Sequence, residues 1–474
     1  MSASFNPADI QGNILRGYHK PRVRHLVLEV TDRAEARRWL AASVSGRSDA
    51  VPQITTEEPW QTKPDTTFNI GVTFEGLRAL GVAQSSLDTF PTEYKEGMTV
   101  RATKLGDVGD SAPDKWPEPF DKPQRIHLIA TIFADEVAQL DRIKQQALGR
   151  SRGLNLLGQR DGFCFDGDFV HFGYTDNISQ PKFAEIHDAD DLSDPQPFAP
   201  LGTVLLGYDT NFEGLTWRIP DPQALGHNGT FNAFRILEQD VEGFEAYLDE
   251  AADILMTHPQ GTILLPLGAE ASIKPGVDRR AALREVVAAH MCGRWRDGTP
   301  MALSPDKPDP SASRTNFDYG DSMRFPDGGR CPFGSHVRRT NPRGAIIVQR
   351  VANFSRRLVR RGMPYGPAYK PNDELTKDTE RGLLGNFIGA SLGAQFEAMA
   401  CDWVNVGLLD PRLSGSNDPL IGTNAVETGW FDLLLKSGAT IRLRGLPRFV
   451  TTRGGAYTFL PSVSAIRYLG GLSD

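Results

Sequence analysis

The residues best suited to chemistry in this chain surround one histidine. His336 stands in the run Cys331-Pro-Phe-Gly-Ser-His336-Val-Arg-Arg-Thr-Asn-Pro-Arg343, and a second cationic run follows at Arg356-Arg-Leu-Val-Arg360-Arg-Gly-Met-Pro-Tyr-Gly366. Pro332 and Gly334 make a turn ahead of the imidazole. Neutral imidazole is a good ligand for iron, and guanidinium groups pair with carboxylates. An iron porphyrin presents both partners, a metal with axial positions and two propionates. The segment therefore reads as the protein half of a haem site, with His336 as the metal ligand. Cys331 is the rival, because a thiolate beside proline can also hold haem iron.

A third piece lies upstream, Phe172-Gly-Tyr-Thr-Asp176-Asn-Ile-Ser-Gln-Pro181. Gly173 removes a side chain where backbone must pass close to something. Asp176-Asn177 favours a turn, and Pro181 ends the run. A carboxylate on such a turn can be held over the open face of a cofactor and move a proton between two oxygens of a peroxide. An unperturbed aspartate titrates near ~3.9, so that role predicts activity favoured at acidic pH.

Together the three segments resemble the dye-decolorising peroxidases. The resemblance runs from the arm Asp9–Leu15 to the helix around Trp403. It implies haem b on His336, hydrogen peroxide as oxidant, and dyes, phenols or similar one-electron donors oxidised through a ferryl haem. Asp176 takes the place of the distal aspartate, and Arg360, by its spacing to Met363-Pro364, that of the distal arginine. The family's glycine after that aspartate is Asn177 here, and asparagine tolerates the left-handed backbone. Arg338 and Arg343 become propionate partners, and Gly173 part of the cofactor cradle. Glu397, in a Gln-Phe-Glu stretch, becomes the carboxylate behind the imidazole, with Asp402 as the fallback; a solvated helix position is the plain alternative. Gly229–Asp240 and Gly293–Pro300 read as scaffold around the cofactor, and Trp295 as packing. Two other classes stay in view: a haem-handling protein with little turnover, and an α+β interaction module without haem.

Composition constrains the rest. A chain of 474 residues suits two domains of ordinary size. We expect 1–200 to carry the Asp176 turn and 201–474 to hold the haem. The net charge of −7 argues against nucleic acid as a partner. Four scattered cysteines form neither a disulfide framework nor a zinc pair. The start of the chain lacks a positive, apolar leader, and no run of about eighteen apolar residues occurs. A cytoplasmic protein without membrane contact is the expectation, with monomer and homo-oligomer both open.

Patterning supplies the frame. Arg24–Val30, Thr67–Thr73 and Ile126–Phe133 read as strands; Ala34–Ala42, Thr73–Leu80 and Glu136–Leu148 read as helices. Phe163–Phe172 is predicted as the strand that delivers Asp176. This β-α-β-β-α-β order matches the ferredoxin-like pattern. Downstream, Thr230–Leu237, Gly344–Val351, Phe354–Val359 and Leu383–Ala390 read as strands. Val241–Met256, Ala281–Met291 and Gly393–Val404 read as helices. The expected architecture is α+β, two ferredoxin-like units with antiparallel sheets of the dimeric α+β barrel type.

Overall fold

The computed structural model describes residues 5–47, 51–149, 151–187, 196–212, 215–319, 331–345, 353–371 and 379–473. Its centre is a single antiparallel sheet. The strands are β1 (Arg22–Val30), β2 (Thr66–Val72), β3 (Leu128–Ala134), β4 (Leu154–Phe163), β5 (Thr230–Gln239), β6 (Val359–Arg360), β7 (Met363–Tyr365), β8 (Gly382–Gly389) and β11 (Val450–Leu460). A separate hairpin joins β9 (Trp430–Leu434) to β10 (Thr440–Arg444).

The sheet runs β4-β1-β3-β2-β11-β5-β8-β6, with β7 also on β8. The first four strands and the last four repeat one arrangement: the first strand of each set lies between the last and the third. Helices cross between them as the apolar periodicity demands. α1 (Arg33–Ser43) and α2 (Val137–Leu148) serve the first set; α3 (Val241–Thr257) serves the second, with α4 (Arg279–Cys292) packed on it. α1 is capped by the Asp32 side chain on Glu35 N–H, and α2 by a Glu136/Gln139 capping box. The fold is thus α+β with antiparallel pairing, as the sequence implies.

The sets meet where β2 touches β11, through Phe459 and Val72. So short a pairing needs other support. Gln11 of the N-terminal arm donates to both Ile70 O and Pro461 O and accepts from Ile70 N–H. One amide side chain thereby bridges β2 to the end of β11. Phe459, Phe231, Phe90 and Tyr94 interlock beneath the seam.

Three predicted elements need correction. Phe163–Phe172 is not a strand: the ladder ends at Phe163, and Gly167 and Asp168 take positive φ, which extended pairing cannot accommodate. The true strand, Leu154–Phe163, is half-exposed and polar along much of its length, so its pattern is weak. Phe354–Val359 is a 3₁₀ turn over Asn353–Arg356, with only Val359–Arg360 paired. Of Gly344–Val351, Gly344 and Ala345 form a turn, and the rest lies outside the described residues.

His25 on β1 carries a consequence for acid stability. Its ring is buried against Phe234, with Nδ1 3.0 Å from Thr131 Oγ1, and burial pushes its pKa down to about 3. The unfolded chain takes up this proton near ~6.5, the native one only near 3. Stability from this site is complete above ~6.5 and drains at about 1.4 kcal/mol per pH unit as pH falls toward 3. Between pH 6.5 and 5 the loss should be about 1.6 kcal/mol. Urea unfolding at the two pH values checks it, and His25→Gln should flatten the slope.

Candidate active site

His336 opens a short helix, α5 (His336–Thr340). Its Nδ1 lies 3.0 Å from Asp418 Oδ2, and Asp418 is fully buried. The other oxygen, Oδ1, accepts the backbone N–H groups of Leu420 and Ile421 at 2.9 and 3.0 Å. That turn fixes the carboxylate and leaves Oδ2 for the imidazole. Burial alone would raise the Asp418 pKa. The His336 charge and hydrogen bond, with help from Arg339 and the Ile421 N–H, instead hold it below the usual carboxylate range. Arg339 is itself buried and ties the helix to the same loop, donating to Gly334 O, Trp403 O, Ser416 O and Ser416 Oγ. His336 Nε2 makes no hydrogen bond among the described residues, and His336 lines a large cavity.

That cavity measures about 360 Å³, the size range of small-ligand and cofactor pockets. Leu237, Leu383, Phe387, Phe396, Met399 and Trp403 give it apolar walls. Its charges are mostly positive. Arg235, Arg294, Arg343, Arg356, Arg360 and Arg448 line it, against the carboxylates Asp107 and Asp176. Arg235 is spoken for by Asp107, at 2.5 and 3.0 Å, and Arg356 by Asp402 at 2.9 Å. A largely apolar cavity with an imidazole on its wall and a cationic surround suits an iron porphyrin with two propionates.

Asp176 and Arg360 meet on the same cavity. Arg360 Nη1 lies 3.5 Å from Asp176 Oδ1, and both side chains are a little over 40% exposed. Arg360 Nη2 also donates to Ser179 O at 3.1 Å, and its backbone N–H to Gln180 Oε1 at 2.9 Å. Asn177 takes φ of +58°, so the left-handed position after the aspartate is kept without glycine.

Other predicted residues fall elsewhere. Glu397 does not back the imidazole. It is fully buried and accepts from Arg101 at 2.6 and 3.0 Å and from Tyr457 OH at 2.9 Å, with Lys104 at 3.2 Å. Burial raises its pKa, and these partners more than reverse the rise. Asp402, the fallback, pairs with Arg356. Arg338 does not line the cavity; it donates to Cys331 O and lies over the Phe333 ring at 4.0 Å. Arg343 does line it, donating also to Thr315 O and Phe317 O. Gly173 makes room for the Arg296 guanidinium, 2.6 Å from where its Cβ would sit, not for a cofactor. Cys331 is buried off the cavity, and burial pushes its thiol up, away from the thiolate an iron ligand needs. His171 turns to Tyr365 O at 2.8 Å, and Trp295 packs with Nε1 on Ser304 O.

Sequence reasoning missed Asp418, Arg235 and Arg294. Asp418 sits in Ser-Gly-Ser-Asn-Asp-Pro, which reads as an ordinary turn. Arg235 was legible as an anomaly, a cation in the middle of an apolar strand. The Glu397 cluster yields a discriminating test. Glu397→Gln should cost about 2–3 kcal/mol, the loss of a buried pair discounted for the partly exposed Arg101 and Lys104. Thermal melts measure that loss.

The fold is that of an α+β barrel protein with a cavity of cofactor size beside His336. Residues 9–152 match the DyP dimeric alpha+beta barrel domain. The dye-decolorizing peroxidase msp1 of Mycetinis scorodonius is 28% identical over 98% of this chain and 88% of its own. The multifunctional dye peroxidase DyP2 of an Amycolatopsis species is 29% identical over 97% and 95%. A solved dye-decolorizing peroxidase complex with 2,6-dimethoxyphenol superposes with TM-score 0.77 at 26% identity, covering 99% of this chain and all of that one. Over nearly its whole length the chain is similar to dye-decolorizing peroxidases of the DyP type. Among the described residues, no helix is long and apolar enough to cross a membrane.

Proposed function

We propose that this protein is a haem b peroxidase that uses hydrogen peroxide to oxidise dyes, phenols or similar one-electron donors. The observation that carries the reading is the pairing of two halves on one cavity: an imidazole braced by buried Asp418, and the Asp176–Arg360 pair. His336 Nε2 would hold the iron, and Arg343 with Arg294 would face the propionates. Bound haem supplies the redox centre that accepts oxidising equivalents from peroxide.

The chain's own residues do the rest. Asp418 accepts a hydrogen bond from His336 Nδ1–H, which fixes the tautomer and raises the basicity of Nε2. The Asp176 carboxylate takes a proton from one peroxide oxygen and returns it to the leaving oxygen. Arg360 holds the anion in place and offsets its charge. The complex of a relative with 2,6-dimethoxyphenol supports a phenolic donor. Cytoplasmic residence is part of the proposal, supported by four unpaired cysteines, as is the division at residue 200, supported by the repeated strand order.

The test is direct. Purified protein titrated with haemin should develop a Soret band at one haem per chain. It should then oxidise 2,6-dimethoxyphenol only when peroxide is added. A saturable Soret band without turnover would instead make it a haem-handling protein, and no band at all would remove the haem reading.

A further inference from the structure

The turn that carries Asp176 is gripped on two sides by Arg296, a residue outside the cavity. Arg296 sits near the tip of the tight loop Gly293–Pro300, which follows α4 and is closed by Trp295 and Thr299. Its backbone carbonyl accepts both the N–H of Thr175 at 2.9 Å and the Thr175 hydroxyl at 3.1 Å. Its guanidinium reaches around the other side and donates to Phe172 O. It lies over the rings of Tyr174 and Phe244, at 5.3 and 5.7 Å. Glu285 at 3.0 Å and Glu245 at 3.3 Å anchor it to α4 and α3. Gly173 has no side chain where the guanidinium passes. Arg296 does not line the cavity.

We infer that Arg296 is a positioning residue for Asp176, clamping the Phe172–Asp176 turn from both sides and referring it to the α3–α4 pair. This inference rests on the reading of Asp176 as the proton carrier. The other ties hold the first half of the turn: Gly173 N–H donates to Val170 O, Val170 N–H to Tyr174 O, and Tyr174 OH to Ala288 O. Gly173 takes φ of +77° and Asn177 +58°, and Asp176 N–H is tied only to Asp168 O, on a second turn. Proton transfer requires the carboxylate within hydrogen-bond reach of both peroxide oxygens, so a shift of about 1 Å costs rate. An apolar residue at 296 would free Phe172 O and leave Glu245 and Glu285 without this partner.

Arg296→Met and Arg296→Lys, made in the full chain, test it in two independent ways. The first is amide hydrogen exchange on the haem-free protein. The amides of Gly173, Thr175 and Asp176 should exchange at least tenfold faster in Arg296→Met, about the loss of one charge-assisted hydrogen bond, while β5 amides keep their rates. Arg296→Lys should fall between, since one ammonium cannot serve Phe172 O and both carboxylates; it also decides the matter should the methionine variant fail to fold. The second is stopped-flow on the haem-loaded protein. The peroxide step should slow about tenfold or more with the donor step unchanged, and adding Arg296→Met to Asp176→Asn should cost nothing further. Unchanged exchange in the turn, equal acceleration in β5, or losses that multiply would each overturn the inference. If Asp176→Asn alone leaves the peroxide step intact, the proton-carrier reading fails, and exchange still decides whether Arg296 holds the turn.

Discussion

His336→Ala should give a folded protein that no longer holds haem at micromolar concentration and has lost peroxidase turnover. Removing a partner of a metal-ligating histidine commonly costs about 10- to 100-fold in metal affinity or activity. Asp418→Asn should therefore fall in that range, and loss of the ligand itself should exceed it, by at least about 100-fold. The fold should survive. Asp418 keeps two backbone N–H groups and the nearby Arg339 charge after the imidazole is gone, so the penalty is that of one lost partner, about 1–3 kcal/mol. The space vacated is the size of an imidazole and lies beside a carboxylate aimed to receive its N–H. Added imidazole should then restore part of the Soret band to His336→Ala. It should not do so for His336→Ala combined with Asp418→Ala, where nothing orients the free ring. Absorbance titrations with haemin, with and without imidazole, read all three outcomes. A wild-type Soret band in His336→Ala would show that another residue holds the iron.

The parts of this site that a sequence exposes are those in which one residue type has few alternatives. His336 behind its turn, Asp176 on a glycine-led turn and Arg360 before Met363-Pro364 are all local patterns, and the structure brings the three to one cavity. What a sequence hides is who faces whom across the fold. Glu397 and Asp402 lie on the helical segment Leu392–Asn405, which winds as a wide π-type helix. Such winding changes which residues share a face, so ordinary helical spacing misplaces both carboxylates. Glu397 points to Arg101, Lys104 and Tyr457 of β11, and Asp402 toward Arg356. The actual partner, Asp418, lies 82 residues beyond His336 in a turn with no periodicity to mark it. The sheet shows the same division. Alternation and apolar runs reveal β1, β2, β3, β5 and β8, whereas β4 is half-exposed and polar on an edge. β6 and β7 are too short for any pattern, and the joining of the two strand sets through β2 and β11 is a long-range fact.

Asp176→Asn and Arg360→Leu should each remove most of the peroxide reactivity while leaving stability almost untouched. The pair is half-exposed at 3.5 Å, so its contribution to folding is within about 1 kcal/mol. Catalysis is another matter. Loss of a positioned proton carrier costs about 10²- to 10⁴-fold, and loss of a preorganised charge donor about 10²- to 10³-fold. The ratio between effects on rate and on melting temperature is itself the signature of residues that act on a reactant and not on the fold. Both groups would act on the same two oxygens. Their losses should therefore not multiply: the double variant should be only slightly slower than the slower single one. Rapid mixing of haem-loaded protein with peroxide gives the three rate constants, and thermal melts give the stability comparison. If Arg360→Leu alone abolishes the reaction and Asp176→Asn does little, proton transfer runs through water ordered by Arg360, and the carboxylate serves only to hold the guanidinium in place. That outcome would reassign the two roles within the same cavity, and it is distinguishable because Asp176→Asn would then raise the peroxide KM without lowering kcat.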